Sequence, residues 1–264
     1  MSQVKLHPIR TAVAMLLAST AICSQAEIVK LTVHVDSLAA DNSVAIAPLN
    51  VAFHDGSYPG FQIGDVASPE LISIAELGAG VQWHDNLTAN YPSIVHGRVG
   101  GILTPGQSAS ETFTLDTNQN RYFNYAAMVV PSNDFFLGNA GATSSSLFDA
   151  AGHLQISSIT IKARDLWDAG SEVFDPATAA FIAGSDATLR TPQDSVIAHN
   201  FAEFAAYNGL TTAAGYTFHS GLTADQDVYR ISLSVAAVPE PQSYALMLAG
   251  LATVAILARR RRTA

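Results

Sequence analysis

The sequence predicts a mainly β protein, an antiparallel β-sandwich with short helices in its connections, and three observations carry that expectation. Residues 29–36, Val-Lys-Leu-Thr-Val-His-Val-Asp, alternate apolar and polar without a break, the signature of a half-buried strand. Residues 228–235 alternate in the same way and place Tyr229, Ile231, Leu233 and Val235 inward. Between them lie short apolar runs separated by turn residues, with only brief helical signals.

The elements follow in order. First and last strands of equal quality imply one domain whose ends pair in a sheet, with no internal linker or repeat. Further strands are expected at 45–53, 110–115, 121–130 and 155–163. Asp116-Thr117-Asn118-Gln119-Asn120 is turn chemistry, so 110–130 reads as a hairpin. Ser68-Pro69-Glu70-Leu71 opens a helix with an N-cap serine, a proline at the first helical position and an acid at the positive dipole end. Leu71, Ile74 and Leu77 share its apolar face and Gly78 stops it. A second helix is expected over 84–91 and a third over 195–207, within an otherwise irregular polar stretch.

Both termini read as addresses. Residues 1–26 carry Lys5 and Arg10, an apolar run and Ser24-Gln25-Ala26, which is the pattern of a secretory signal peptide. Its removal takes away Cys23, the single cysteine of the chain, and with it disulfides, thiolate catalysis and cysteine-based zinc sites. At the other end an unbroken apolar stretch, 244–258, precedes Arg259-Arg260-Arg261-Arg262. With Pro241 as its start it is long enough to cross a thin bilayer as a transmembrane helix, arginines on the cytoplasmic side. The expected division is therefore 1–26 signal peptide, 27–237 folded domain and 238–264 sorting tail.

Between Glu27 and Val238 there are 21 acidic residues against 7 basic ones, a formal net of −14. Such a domain repels phosphate backbones, which argues against nucleic acid as a partner, and attracts divalent cations. The acids are unevenly spread. Asp165, Asp168, Glu172 and Asp175 fall within eleven residues of a chain only 13% charged. Like charges this close repel unless neutralised, and a hard divalent cation does so with oxygen ligands. Gly170 can take the positive φ that folds this segment back on itself. Pro131-Ser132-Asn133-Asp134 offers further oxygens. The alternative is that these residues are ordinary solvated turns, since Asp, Asn, Gly and Ser are what turns are made of.

Four pieces in sequence order resemble the spondin domain, the amino-terminal module of F-spondin and mindin: His54-Asp55-Gly56-Ser57-Tyr58, Ala67-Ser68-Pro69-Glu70-Leu71, the segment from Ala127 through Pro131-Ser132-Asn133-Asp134 to Phe136, and Trp167-Asp168-Ala169-Gly170-Ser171-Glu172. The resemblance spans about residues 29–235. It implies a β-sandwich of the calcium/lipid-binding type with one Ca2+ near one end, its carboxylate ligands falling on Asp134, Asp168 and Glu172. Glutamate at the last position is one methylene longer than the aspartate frequent in the animal proteins, whose cysteines this chain lacks. The tail, with Pro239, Glu240 and Pro241 before the apolar stretch and the arginine cluster, resembles the PEP-CTERM sorting signal of Gram-negative bacteria. That resemblance implies processing by an exosortase and the company of exopolysaccharide. Pro-Glu-Pro is extended and accessible to a protease because proline bars helix.

Other chemistry is sparse. Seven histidines remain after the signal peptide, none at i, i+4 zinc spacing, and His54-Asp55 sits in a turn-like His-Asp-Gly-Ser. There is no Gly-x-Ser-x-Gly elbow. Trp83 and Trp167 fit core anchors better than sugar-stacking platforms. The expected function is a non-enzymatic, calcium-binding module, exported to the cell surface and associated with adhesion or with extracellular matrix exopolysaccharide. The alternative, an extracellular hydrolase acting on that polysaccharide, needs two carboxylates across a cleft, and the sequence names no such pair.

Overall fold

The computed structural model describes residues 28–143, 145–237, 248, 250 and 251. Residues 1–26, expected from the sequence to be a signal peptide, Pro239, Glu240 and Pro241, and nearly all of the apolar tail lie outside the described residues. Among the described residues no helix is long and apolar enough to cross a membrane.

Strand β1 (Ile28–Ser37) buries Val29, Leu31, Val33 and Val35 on one face and turns the alternate side chains outward, as a strand does when only one face meets a core. It pairs antiparallel with β11 (Asp227–Ala237), Val33 opposite Leu233. β5 (Ser108–Asp116) flanks β1 and β8 (Ser158–Lys162) flanks β11, giving a four-stranded sheet in the order β5-β1-β11-β8. Val235, expected inward, is exposed. The ladder of β8 with β11 ends at Ser232, with one further bond from the Leu233 amide to the Ser157 carbonyl at 2.9 Å, so Val235 lies beyond the length that β8 covers.

The second sheet runs β10 (Ala198–His199), β9 (Trp167–Asp168), β7 (Phe135–Gly138), β6 (Tyr122–Val130), β3 (Leu49–His54), β4 (Val95–Val99), with β2 (Ala45–Ile46) paired to β6. β3 and β6 are buried on both faces. Leu49, Val51, Phe53, Tyr125, Ala127 and Val129 face the first sheet in the main core. Ala52 and Ala126 face the other way, against Ile74 of helix α1 (Pro69–Ala75) and Trp83 and Leu87 of helix α2 (Val81–Asn90). The result is a β-sandwich with two small helices laid on its outer face.

Several expectations shift in detail. The strand expected over 45–53 breaks at Ala47-Pro48 into β2 and β3, since proline cannot donate to a ladder. β5 and β6 do not form a hairpin. β5 pairs with β1, and β6 with β3 and β7, so the 116–120 turn crosses from one sheet to the other. Asn120 holds that crossing: its Oδ1 accepts from the Asp116 amide at 3.0 Å and its Nδ2 donates to the Phe53 carbonyl at 3.0 Å. Ser68 caps α1 through its Oγ, which accepts from the Leu71 amide. Leu77 lies past the end of that helix and is exposed. In place of the helix expected over 195–207 stand β10 and a 3-10 helix, Phe201–Tyr207.

Phe53 joins the layers. Its ring stacks on Phe123 of β6 at 5.2 Å and tilts against Phe113 of β5 at 5.1 Å. Phe53→Ala is expected to cost about 3–5 kcal/mol, the range for emptying a fully buried aromatic site, measured as the shift in urea unfolding. A loss below about 1 kcal/mol would contradict this account of the interlayer contact.

Candidate functional site: a carboxylate cluster at one end of the sandwich

The β7–β9 pairing sets the site, because it puts Phe135 opposite Asp168. Asp134 immediately precedes β7, and its carbonyl accepts from the Ala169 amide at 3.2 Å. The chain then turns at Gly170, whose φ is +64°. A Cβ there would stand 2.9 Å from the Ser195 backbone, so the turn needs glycine on grounds of both conformation and space. The turn is closed by Asp168 Oδ1, which accepts from the Gly170 amide at 2.8 Å. It also aims the next two amides at Asp134: Ser171 N donates to Asp134 Oδ2 at 2.7 Å and Glu172 N at 3.0 Å, and the Ser171 hydroxyl adds a third bond at 3.3 Å.

Asp134 and Asp168, both expected from the sequence, are thus brought to one place. Glu172 reaches the same node through its amide, while its carboxylate turns elsewhere. Glu172 Oε1 accepts from Asn133 Nδ2 at 2.9 Å and from the Thr178 hydroxyl at 3.1 Å. Asn133 Oδ1 in turn accepts from the Tyr207 hydroxyl at 2.8 Å. The carboxylate that joins Asp134 and Asp168 electrostatically is Glu203, from the 3-10 helix. A single amide nitrogen, Asn200 Nδ2, donates to Asp168 Oδ2 at 3.2 Å and to Glu203 Oε2 at 3.0 Å. Glu203 was not singled out from the sequence because it lies in the irregular 183–221 stretch. The one local signal was the pair Asn200 and Glu203 at a three-residue spacing.

The electrostatics are those of crowded, unneutralised acids. Burial, with the neighbouring Asp168 charge, raises the Asp134 carboxyl to about 6. Burial, with the Asp168 and Asp134 charges, raises Glu203 to about 7. Burial also raises Glu172, with a smaller push from Asp175. Among the described residues no Lys, Arg or His forms an ion pair with any of these four acids; the ion pairs lie elsewhere, as between Lys162 and Asp227 or Arg230 and Asp36. Among the described residues no group of three or more His, Cys, Asp or Glu side chains is disposed to hold a metal ion. The three side-chain hydrogen bonds that Asp134 accepts from Ser171 and Glu172 all fall on Oδ2.

The remaining candidates have structural partners. His54 is buried, with Nε2 donating to Asn124 Oδ1 at 2.6 Å and Nδ1 accepting from the Gly56 amide at 3.0 Å. Trp83 Nε1 donates to the Tyr58 hydroxyl. Trp167 stacks on His199 at 3.6 Å and donates to the Gly138 carbonyl. Both indoles anchor the packing around them.

Comparison with known families identifies the PEP-CTERM protein-sorting motif at residues 237–262, and a search of curated proteins finds no match. The motif marks exosortase-dependent sorting to the cell surface or extracellular space, with the tail as a membrane anchor before processing. It starts at Ala237, the final residue of β11.

The raised Glu203 carboxyl fixes the sign of a pH effect. A carboxyl whose pKa is higher folded than unfolded contributes stability below the unfolded range, and that contribution is lost as pH rises through the folded value. In the presence of a chelator, Glu203→Gln is therefore expected to melt above the wild-type protein at pH 8 and level with it at pH 4. Comparing the two proteins cancels the opposite trend from buried histidines. Identical melting at both pH values would show that Glu203 is not held by its acidic neighbours.

Proposed function

We propose that this protein is a non-enzymatic, spondin-like surface module whose acidic end is closed by Ca2+. The single observation that carries the reading is the Asp134–Asp168–Glu203 cluster. It gathers buried and half-buried carboxylates that no basic side chain among the described residues neutralises, a state that costs stability unless a cation enters. The carboxylates of Asp134, Asp168 and Glu203 are hard oxygen ligands of the kind that calcium accepts together with carbonyls and water. Asp134, Asp168 and Glu203 would supply the charge. Glu172, assigned as a ligand by the spondin resemblance, would act through its amide on Asp134 and through its contacts with Asn133 and Thr178. Bound calcium would lock β7, the 168–172 turn and the 3-10 helix into one rigid end, a fixed surface for a partner.

The expected outcome is that millimolar Ca2+ raises the melting temperature of the secreted protein and that Asp168→Ala removes the rise. A melting curve that is the same in calcium and in chelator would overturn the reading.

The surface role follows from the address. Exosortase-dependent sorting puts the domain outside the membrane, and the net charge of −14 between Glu27 and Val238 suits a calcium-bridged acidic polysaccharide better than a naked polyanion. A hydrolase reading would draw on the raised Glu203 beside Asp168. Asn200 Nδ2 bridges the two carboxylates, where a catalytic pair would need an open cleft between acid and nucleophile or base. Cells lacking the protein are expected to retain less matrix polysaccharide, restored by the wild type and not by Asp168→Ala. Unchanged attachment and matrix retention would dismiss the adhesive role.

A further inference from the structure

A second polar site lies where α1 meets α2 on the outer face of the second sheet, and it shares no residue with the carboxylate cluster. Glu70 on α1 and Asn86 on α2 are joined by a bond from Asn86 Nδ2 to Glu70 Oε1 at 3.0 Å. Together with Tyr58, Gly60, Ser68 and Tyr91 they line a cleft of about 220 Å³. The rings of Tyr58 and Tyr91 stand 5.6 Å apart at 87°, so two aromatic walls meet at a corner. Trp83 holds the first wall: its Nε1 donates to the Tyr58 hydroxyl, and the two rings meet edge to face at 6.1 Å. The second wall is fixed at the end of α2, where the Tyr91 amide donates to the Leu87 carbonyl at 3.0 Å. A smaller cavity of about 30 Å³ shares Tyr58, Gly60 and Ser68 with the cleft and reaches Ala126 of β6, with room for one or two waters.

The hydrogen-bonding capacity left over in the cleft is of both kinds. The Tyr58 hydroxyl accepts from Trp83, and its own hydrogen has no acceptor among the described residues. Burial, with a smaller push from the Glu70 charge, raises that hydroxyl to about 12, so it keeps its hydrogen at neutral pH. The Ser68 hydroxyl accepts from the Leu71 amide and likewise has a hydrogen to give. Glu70 Oε2 and Asn86 Oδ1 are acceptors that no donor among the described residues engages. Two donors and two acceptors beside an aromatic corner suit a ligand with a polar edge and an apolar face. A sugar ring is such a ligand, since each hydroxyl both gives and takes a hydrogen bond while the ring C–H groups form the face. We propose that this cleft binds one uncharged hexopyranose unit of a surface polysaccharide, its hydroxyls on Tyr58, Glu70 and Asn86 and its C–H face in the Tyr58–Tyr91 corner. Among the described residues no Lys, Arg or His lines the cleft, so an acidic sugar or a phosphate would meet the Glu70 carboxylate with nothing to balance it. A metal cation would find a single carboxylate already bonded to an amide, short of the six or more oxygens that a hard cation takes. The space is smaller than a pocket for a drug-sized molecule. Pro59 and Ser68 in its lining are exposed, which lets the polysaccharide continue from the bound ring into solvent.

The test is saturation-transfer NMR on the secreted protein at pH 7 in chelator, with the methyl glycosides of glucose, galactose and mannose and with methyl glucuronide as the charged control. The expected result is that at least one neutral glycoside binds, with a Kd of about millimolar order, and that the glucuronide does not. Glu70→Gln keeps the side chain's size and an oxygen for Asn86 but puts a donor where Oε2 accepts. It is expected to weaken binding about tenfold or more, the loss of a charged acceptor. Tyr91→Ala is expected to weaken it about fivefold or more by removing an aromatic wall; Glu70→Gln decides the matter if that variant folds poorly. Asp168→Ala is expected to bind the glycoside as the wild type does, so this result and the calcium titration stand or fall separately. No signal from any neutral glycoside, equal binding of the glucuronide, or binding unchanged in Glu70→Gln would overturn the proposal.

Discussion

The pairing of β1 with β11 closes the domain, and the rest of the sandwich depends on it. The two strands run antiparallel from Val29 opposite Ala237 to Ser37 opposite Tyr229. The side-chain period of a strand is two, so a slip of one residue would turn Val29, Leu31, Val33 and Val35 out to solvent together. The register is therefore fixed by burial, and it fixes in turn where β5 and β8 attach. Once that sheet exists, the inner faces of β3 and β6 have a surface to cover, and the outer faces acquire α1 and α2.

The carboxylate site is a by-product of the same order. β7 follows β6 after a short turn, and β9 has only two residues, so Asp134 and Asp168 sit where the sheet runs out of ladder and backbone amides are left to be satisfied. The amides of Ser171 and Glu172 solve that problem by bonding to Asp134. A buried carboxylate that organises backbone in this way has one oxygen committed to amides, and burial with the neighbouring Asp168 charge raises its hold on a proton. The local fold and the crowding of acids thus meet at the same side chain.

What could be read beforehand, and what could not, divides along physical lines. β1 and β11 were legible because water lies on one face and core on the other. β3 and β6 were found by their apolar content alone, since burial on both faces erases alternation. The turn at 116–120 was recognised, but turn residues report a change of direction and not the identity of the partner strand, and the hairpin proved to be a crossing between sheets. Asp134 and Asp168 were picked out as candidates because they sit in local patterns dense in acids and turn residues. Glu203 was missed because it comes from a segment without periodicity, placed by the packing of Phe204 and Tyr207 in the core. The cleft of Tyr58, Glu70, Asn86 and Tyr91 has no short-range spacing to betray it; only the packing of α1 against α2 brings these side chains together.

The junction between β11 and the sorting motif has a mechanical consequence. The strand ends at Ala237, where the match to the motif begins, so a pull on an anchored tail enters the folded body along the axis of β11. Force applied in that direction loads the hydrogen bonds to β1 and β8 side by side, in shear, rather than unzipping them one at a time. A domain tethered through a central strand of its sheet resists tension far better than one tethered through a peripheral loop.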